Sequence, residues 1–380
     1  MSELRRNILG EAKRIVIKIG SRILVDSAKG GVRENYIEKL ARSVSRLVSL
    51  DKEVIIVTSG AVGTGMSILG YREKPKNLAE KQACAAVGQI DLMYVYREKF
   101  LAENLAVGQI LLSADDFRDR TRYKNLQNTL HKMIEKRIVP LINENDSLAV
   151  KELNAIGDND KLSSDVALFF DADLLLIFTD EDGLFDDNPK KNPKARLLRF
   201  VPEITPEIMA LTGKPGESGS AVSTGGMRSK VESIRAVVKS GCNAFLANGA
   251  KVLPDEIILG DALGTLFIGS SKKLGSRKRW LSFVSSPAGS VVVDAGCVLA
   301  LRKKHSSLLP VGVSGIRKHF SAGDLIEVLS ETGEKVARGI AQMDSANLKL
   351  VLRQKTSQVR SRLGKNVPEE VVHKNNLVVF

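Results

Sequence analysis

The chain has 380 residues, 43% of them hydrophobic, and a net charge of +13, which is enough for a full core and two domains of ordinary size. No apolar run approaches the roughly 18 residues that cross a bilayer. The N-terminal stretch MSELRRNILGEAKR has no apolar signal core, so we expect a cytoplasmic protein. Cys84, Cys242 and Cys297 show neither disulfide nor zinc spacing, so they are expected to be buried thiols.

The positive charge is concentrated at one end of the chain. From residue 272 onward there are 19 Lys and Arg against 8 Asp and Glu, whereas residues 1–271 contain 38 against 36. RNA is therefore a candidate partner of the second part. We favour a basic surface without a dedicated RNA site, because this part lacks an aromatic stacking motif of the RRM kind.

Apolar runs alternate with amphipathic stretches over the first 240 residues. RIVIKI (14–19) and EVIIV (53–57) are typical of strands buried on both faces, and apolar residues recur at helical spacing over 34–50. The alternation continues and predicts helices and strands in turn, at 79–103, 106–112, 120–136, 138–143, 161–170, 174–179 and 227–240. This order predicts an α/β domain with a mostly parallel central sheet.

The pattern changes after residue 271. SSKKLGSRKRW is a short basic connector, and strand-like runs separated by turns follow it, at 290–294, 324–330 and 334–342. They predict a small β-rich domain. We divide the chain into an α/β domain, a linker, the small domain and a terminal segment, at 1–271, 272–287, 288–366 and 367–380.

Polar and glycine-rich motifs follow the predicted strands where each strand ends. An open parallel sheet binds ligands at this edge. The motifs are IKIGS, VTSGAVGTG, NEND (143–146), GDND (157–160), FTDEDG (178–183) and STGGMRSK (223–230). They match neither GxxxxGK[ST] nor GxGxxG. Glycines nevertheless let the backbone approach a ligand closely, and free N–H groups at a helix start attract anions. TGG therefore predicts a phosphate-binding loop. The alternative is a plain turn that caps the helix.

Two lysines lie beside these motifs. Lys18 is on an apolar strand, where a lysine is costly unless its charge is used or reaches solvent. Lys230 lies one turn into the helix behind TGG. Two lysines that converge on one site can neutralise a transferred phosphoryl group. All four histidines lie outside the motifs, which argues against a His-based acid–base mechanism or metal site.

Phosphorylation of a carboxylate fits this set of residues. The acceptor oxygen is already an anion, so the reaction needs positioning and charge neutralisation but no base.

The six motifs, in this order, resemble the amino acid kinase family, and more narrowly its members that phosphorylate glutamate. The second half resembles a PUA domain, a small β-barrel module that binds RNA in other proteins. The chain departs from the family pattern at two places. It has Ser21 where the family often has Thr, and Gly63-Thr64 where small alanines are common. The likeness extends to GTLF (264–267), RKRW (277–280), PAGSVVVDAG (287–296) and SSLLPVGV (306–313).

The resemblance implies a fold and a reaction. The fold is a mostly parallel central sheet sandwiched by helices, followed by the PUA domain. The reaction is ATP-dependent phosphorylation of the γ-carboxylate of glutamate to glutamyl 5-phosphate, the first step of proline biosynthesis. Mg²⁺ would bridge the ATP phosphates with few direct protein ligands.

The resemblance also implies roles for single residues. Lys18 and Lys230 would contact the phosphates, and Asp160 would orient both lysines. Asp146 would bind the ammonium of glutamate. The other glutamate-binding residues would be Ser59, Asn143, Asp158 and Asn159. ATP would lie over Thr179, Asp180, Thr224, Gly225, Gly226, Met227, Arg228, Ser229 and Lys230. For Asp158 and Asp160, capping of the helix at 161–170 is a second interpretation that can coexist with these roles.

Two other functions stay open from the sequence. One is a family member that acts on aspartate, acetylglutamate, carbamate or a nucleoside monophosphate; the free acid of Asp146 favours a substrate with an ammonium. The other is an RNA-binding protein. We also expect a homo-oligomer and no membrane association.

Overall fold

The structure is a computed structural model that describes residues 2–26, 31–113, 116–117, 120–148, 159–189, 191–213, 226–260, 262–271, 287–304, 306–364 and 367–380. The chain forms two compact units, Met1–Lys273 and Leu274–Phe380. Within the described ranges, no helix is both long enough and apolar enough to span a membrane. The predicted linker at 272–287 lies almost wholly outside these ranges, so the predicted domain boundaries stay a prediction.

The first unit is built on an eight-stranded sheet with strand order β3-β4-β2-β1-β5-β7-β8-β6. The strands are β1 (Arg14–Ile19), β2 (Glu53–Val57), β3 (Val107–Leu112), β4 (Val139–Glu144), β5 (Leu174–Thr179), β6 (Phe200–Val201), β7 (Asn243–Asn248) and β8 (Thr265–Phe267). All pairs are parallel except β7 with β8, which are antiparallel. The predicted mostly parallel sheet is confirmed.

Ten helices are described in this unit. They are α1 (Ser2–Glu11), α2 (Ser21–Leu24), α3 (Glu34–Ser49), α4 (Ala61–Ile68), α5 (Leu78–Ala102), α6 (Arg120–Glu135), α7 (Asn159–Phe170), α8 (Pro206–Ala210), α9 (Met227–Lys239) and α10 (Pro254–Leu259). Each helix and strand that we predicted here from periodicity is present, with ends that differ by two residues or fewer. Short elements such as α8 and β6 give no periodic signal and were not predicted.

The alternation of β1 decides where Lys18 lies. Ile15, Ile17 and Ile19 belong to the main apolar core, in which α3 also takes part. Because strand side chains alternate between faces, Lys18 points to the opposite face. Helix α7 contacts β1, and Asp160 of its first turn bonds to Lys18. The cost of burying the Lys18 ammonium on this strand is therefore offset by its ion pair with Asp160.

Helix α4 corrects one interpretation of the sequence. The residues AVGTG of the motif VTSGAVGTG, which we placed among the glycine-rich ligand loops, are the first five residues of this helix. Glycines disfavour a helix interior, but packing requires one here. A Cβ on Gly65 would lie 1.8 Å from the Cys84 carbonyl oxygen of α5, and a Cβ on Gly88 would lie 2.0 Å from the Ala61 carbonyl oxygen. The backbones of α4 and α5 are in direct contact at these two glycines.

The second unit has its own five-stranded sheet and core. Its strands, in spatial order β10-β9-β11-β12-β13, are β9 (Gly289–Val293), β10 (Val313–Lys318), β11 (Leu325–Ser330), β12 (Lys335–Ile340) and β13 (Leu377–Val379). Its core includes Val291, Ile326 and Val336. Each strand-like run we predicted overlaps a strand, with ends that differ by two residues or fewer. The helices α11 (Ala295–Lys304), α12 (Ser345–Leu350) and α13 (Thr356–Leu363) were not predicted.

Candidate active site

The predicted site residues gather at the carboxyl edge of the central sheet. Lys18 on β1, Asn143 on β4 and Thr179 on β5 lie near the ends of their strands, and Ser59 follows β2. The order β4-β2-β1-β5 makes these four strands neighbours. Helix α7 begins at this edge and contributes Asn159.

Two lysines and one carboxylate form a buried cluster, which we call the lysine clamp. The Nζ of Lys18 lies 2.5 Å from Oδ1 of Asp160, and the Nζ of Lys230 lies 3.1 Å from its Oδ2. All three residues are at least 91% buried. The hydroxyl of Ser229 donates to the same Oδ2 over 3.4 Å. Residues from β1, α7 and α9 thus meet although Asp160 is 142 positions from Lys18 and 70 positions from Lys230.

The electrostatics of the clamp favour a charged carboxylate. Burial by itself raises the pKa of Asp160. The positive charges of Lys18 and Lys230, and the hydrogen bonds that they donate, outweigh burial and hold this pKa below its usual value. Helix capping was a second interpretation of this side chain from the sequence. In the structure its carboxylate forms ion pairs with lysines from two other elements. Two cations and one anion leave the clamp net positive and suited to a phosphate.

Amides form a second cluster next to the clamp. The Nδ2 of Asn159 lies 2.9 Å from the carbonyl oxygen of Thr58, 2.8 Å from the hydroxyl of Ser59 and 3.2 Å from Oδ1 of Asn143. The Nδ2 of Asn143 donates to Oε1 of Gln89 over 2.8 Å. We call Ser59, Gln89, Asn143 and Asn159, together with Asp146, which follows Asn143 by three residues in the chain, the amide cluster. Four of the five were predicted.

Asp146 is the acidic member of the amide cluster. Its Oδ1 is shielded from solvent and has no hydrogen-bond partner in the described part of the chain. Burial, and then the charge of Glu144, raise the pKa of Asp146 to about 7, although Lys74 acts in the opposite direction. Such a carboxylate is suited to a cationic group that a ligand brings.

The end of β5 has a different arrangement. The hydroxyl of Thr179 donates to Oδ1 of Asp180 over 3.0 Å, and Arg22 forms an ion pair with the same carboxylate. Asn248, at the end of β7, donates to the carbonyl oxygen of Asp180 over 3.1 Å. Burial raises the pKa of Asp180, but Arg22 and the hydrogen bonds lower it further, so the carboxylate is held ionised.

The predicted phosphate loop is described only in part. Gly226 caps α9, and Met227 begins it. Arg228 pairs with Glu232 over 3.0 Å, while Ser229 and Lys230 donate to Oδ2 of Asp160. Thr224, Gly225 and Asp158 lie outside the described residues, so their roles stay predictions.

No local pattern marks Gln89 or Arg22 as a residue of the site. Gln89 lies inside the long helix α5, where a lone glutamine is ordinary. Arg22 directly follows the IKIGS motif, and its partner Asp180 is 158 positions away. Only the fold brings either residue to the site.

Comparison with known proteins gives concordant results. The amino acid kinase family model matches residues 13–248, and the PUA domain model matches residues 289–363. The chain is 40% identical to the glutamate 5-kinase of Dictyoglomus thermophilum over 98% of this chain and 99% of that protein. It is 40% identical to the glutamate 5-kinase of Citrifermentans bemidjiense over 99% of this chain and 100% of that protein.

A solved structure of an isopentenyl phosphate kinase in complex with its substrate covers 67% of this chain and 99% of its own, with 20% identity and a TM-score of 0.47. The family match is the stronger result, because it spans more than half of the chain and because curated relatives align from end to end. Since the lysine clamp and the amide cluster lie inside the matched range, we conclude that the chain belongs to the amino acid kinase family and has a PUA domain in its second part.

Proposed function

We propose that this protein uses ATP to phosphorylate the γ-carboxylate of L-glutamate, which yields L-glutamyl 5-phosphate, the first step of proline biosynthesis. The observation that carries the proposal is the lysine clamp at the carboxyl edge of the sheet. The choice of glutamate is supported by full-length relatives that are themselves named glutamate 5-kinase.

The clamp provides charge stabilisation for phosphoryl transfer. Lys18 and Lys230 approach one carboxylate from two different elements, so Asp160 fixes the direction of both ammonium groups. Cations that are already oriented lower the barrier because they need no reorganisation when the transferred phosphoryl develops its charge. The attacking carboxylate oxygen is an anion, so no general base is required.

Glutamate would occupy the amide cluster. Asp146 would bind its ammonium, since its buried Oδ1 has no partner among the described residues. Ser59, Asn143 and Asn159 would orient the carboxylates, and Asp158 keeps its predicted role there. An ammonium near Asp146 also favours an amino acid over acetylglutamate, carbamate or a nucleoside monophosphate.

ATP would lie over the end of β5 and the start of α9, where Thr179, Asp180 and residues 224–230 were predicted to bind it. A helix N-terminus favours phosphate through its free N–H groups. Mg²⁺ neutralises charge on the phosphates of bound ATP. In the described ranges no group of three or more His, Cys, Asp or Glu side chains could hold a metal. Mg²⁺ would be held mainly by ATP phosphates and water.

The experiment measures ATP turnover with a panel of acceptors. Glutamate, aspartate, acetylglutamate, carbamate and a nucleoside monophosphate are compared at equal concentration, and hydroxylamine traps the acyl phosphate as a hydroxamate. We expect turnover and hydroxamate with glutamate far above the rest. Faster turnover with another acceptor, or none that depends on glutamate, would contradict the proposal. The cytoplasmic location, the homo-oligomer and RNA binding by the PUA domain stay predictions.

A further inference from the structure

The amides of the amide cluster form a hydrogen-bonded chain whose direction is fixed by the backbone. The N–H of Glu144 donates to Oδ1 of Asn143 over 2.9 Å. The Nδ2 of Asn159 donates to the carbonyl oxygen of Thr58. A backbone N–H only donates and a backbone carbonyl only accepts, so neither asparagine can be turned over. Asn143 must therefore present its Nδ2 to Gln89.

Gln89 is consequently oriented as well. Its Oε1 accepts the hydrogen bond from Asn143 over 2.8 Å, which leaves its Nε2 as the outer end of the chain. That nitrogen is shielded from solvent and has no hydrogen-bond partner in the part of the chain that the structure describes. Buried amide donors are normally paired, so an oriented and unpaired donor indicates that a ligand supplies the acceptor.

The position of Gln89 indicates which part of the ligand that is. Asn159 is next to Asp160 of the clamp, and Gln89 lies at the opposite end of the chain Asn159–Asn143–Gln89. The γ-carboxylate has to lie at the clamp to receive the phosphoryl group. The α-carboxylate is four bonds away, on the carbon that also carries the ammonium. Asp146, three residues after Asn143, is available to that ammonium.

We propose that Nε2 of Gln89 donates a hydrogen bond to the α-carboxylate of the substrate amino acid. This inference rests on the proposed function, because it takes the substrate to be an α-amino acid. The packing of α5 supports it. Gly88 lies against the backbone of α4, which begins two residues after Ser59, so this part of α5 is held beside the loop that follows β2.

The test replaces Gln89 with methionine, which has nearly the same length and volume but no amide. Hydrogen bonds to a charged group are stronger than neutral ones. We expect KM for glutamate to rise about 10–100-fold, while KM for ATP stays within about twofold. The matched control is Gln127→Met, the same substitution at a half-buried glutamine of α6, for which both constants should remain unchanged.

A second variant distinguishes a hydrogen bond from Gln89 to the substrate from a role of Gln89 that is limited to supporting Asn143. Gln89→Glu keeps the oxygen that accepts from Asn143 but replaces the donor by another acceptor. Repulsion between two carboxylates should make its KM for glutamate higher than that of Gln89→Met. A KM restored to the unmodified value would show that Gln89 only supports Asn143, and would overturn the proposal. This comparison also decides the question if the methionine variant does not fold.

γ-Aminobutyrate lacks the α-carboxylate, so its strength as a competitive inhibitor tests whether Gln89 binds that group. Its inhibition constant should be the same in the unmodified protein and in Gln89→Met. If Gln89→Met raised this inhibition constant as much as it raises KM for glutamate, the assignment to the α-carboxylate would be overturned. The proposed function fails separately: no glutamate-dependent turnover in the unmodified protein overturns both ideas, whereas normal turnover with an unchanged KM in Gln89→Met overturns only this one.

Discussion

The lysine clamp and the amide cluster lie side by side at one sheet edge, yet they differ in how far their polar groups are paired. Both carboxylate oxygens of Asp160 have lysine partners. In the amide cluster, Nε2 of Gln89, Oδ1 of Asp146 and Oδ1 of Asn159 are buried without partners in the described residues. The carboxylate of the clamp thus has its partners within the protein, whereas the unpaired groups of the amide cluster would find theirs on a ligand.

The two aspartates express the same difference. Two cations overcome burial and lower the pKa of Asp160, whereas burial and Glu144 raise the pKa of Asp146 to about 7. The same side chain is therefore a fixed anion in one cluster and a titrating group in the other. In the proposed function, the charges that face the phosphates are thus oriented before the substrate binds, whereas the ionisation of Asp146 is completed by the ammonium of the substrate.

The largest expected effect is on stability, at the centre of the clamp. Asp160→Ala leaves two buried lysines without their carboxylate and should lower the free energy of unfolding by about 3–5 kcal/mol. Because its pKa is lowered in the folded state, Asp160 stabilises the fold above the ordinary Asp pKa, and this contribution is lost as the pH falls through the lowered value. Chemical denaturation at pH 7 measures the effect.

The control for this variant is Glu135→Ala at the end of α6. Glu135 pairs over 2.6 Å with Lys132, and both side chains are at least 60% exposed; such pairs contribute about 0–1 kcal/mol. Equal losses for Asp160→Ala and Glu135→Ala would show that the clamp is no more stabilising than a surface pair.

The next effect is on rate. Lys18→Ala and Lys230→Ala should each lower kcat by about 10²–10³, the usual loss for one preorganised group that stabilises developing charge. Steady-state kinetics at saturating ATP provide the measurement, with Lys161→Ala as an exposed control on α7. Near-native turnover in either clamp variant would remove that lysine from the phosphoryl-transfer site.

A smaller effect should separate the amide cluster from the clamp. Asp146→Asn removes the charge that we assign to the ammonium of glutamate. It should raise KM for glutamate about 10–100-fold and change KM for ATP by about twofold or less. Asp91→Asn, at an exposed position of α5, is the control. Equal changes in both KM values would indicate a general structural role for the NEND segment.

The pH dependence of binding tests the same assignment. An ammonium prefers the ionised form of Asp146, whose pKa is raised to about 7. KM for glutamate should therefore rise as the pH is lowered from 8 to 6, and the rise should be absent in Asp146→Asn. A profile that is identical in the two proteins would contradict the assignment.

The smallest expected effect concerns the second unit. A protein truncated near Ser285 should still phosphorylate glutamate, because both clusters lie between Lys18 and Lys230. Loss of the basic part should reduce salt-sensitive retention on RNA or heparin, since counterion release scales with the positive charge engaged. Turnover and retention at two salt concentrations are compared with the full-length protein. A folded but inactive truncation would show that the second unit contributes to catalysis.

Sequence periodicity predicted most of the first unit, but local signals failed where packing decides. The strands β1 and β2 are apolar throughout, and their bounds were predicted without error. Helix α4 was missed because Gly63 and Gly65 lower helix propensity; only the approach of α5 explains why a glycine is needed at Gly65.

The candidate site shows the same limit. Lys18, Asp160 and Lys230 could be predicted because each breaks a local pattern or follows a motif of the family. Gln89 breaks no pattern. Its partner Asn143 is 54 positions further along the chain, so its part in the amide cluster depends on how α5 packs, which local sequence does not encode.

The contact between Gly65 and Gly88 has a mechanical consequence. With no side chains between them, the backbones of α4 and α5 touch, so main-chain atoms set the spacing of the two helices. Ser59 lies just before the first helix, and Gln89 lies on the second. The separation of these two residues of the amide cluster therefore depends on Gly65 and Gly88, because a Cβ at either position would clash with the facing backbone.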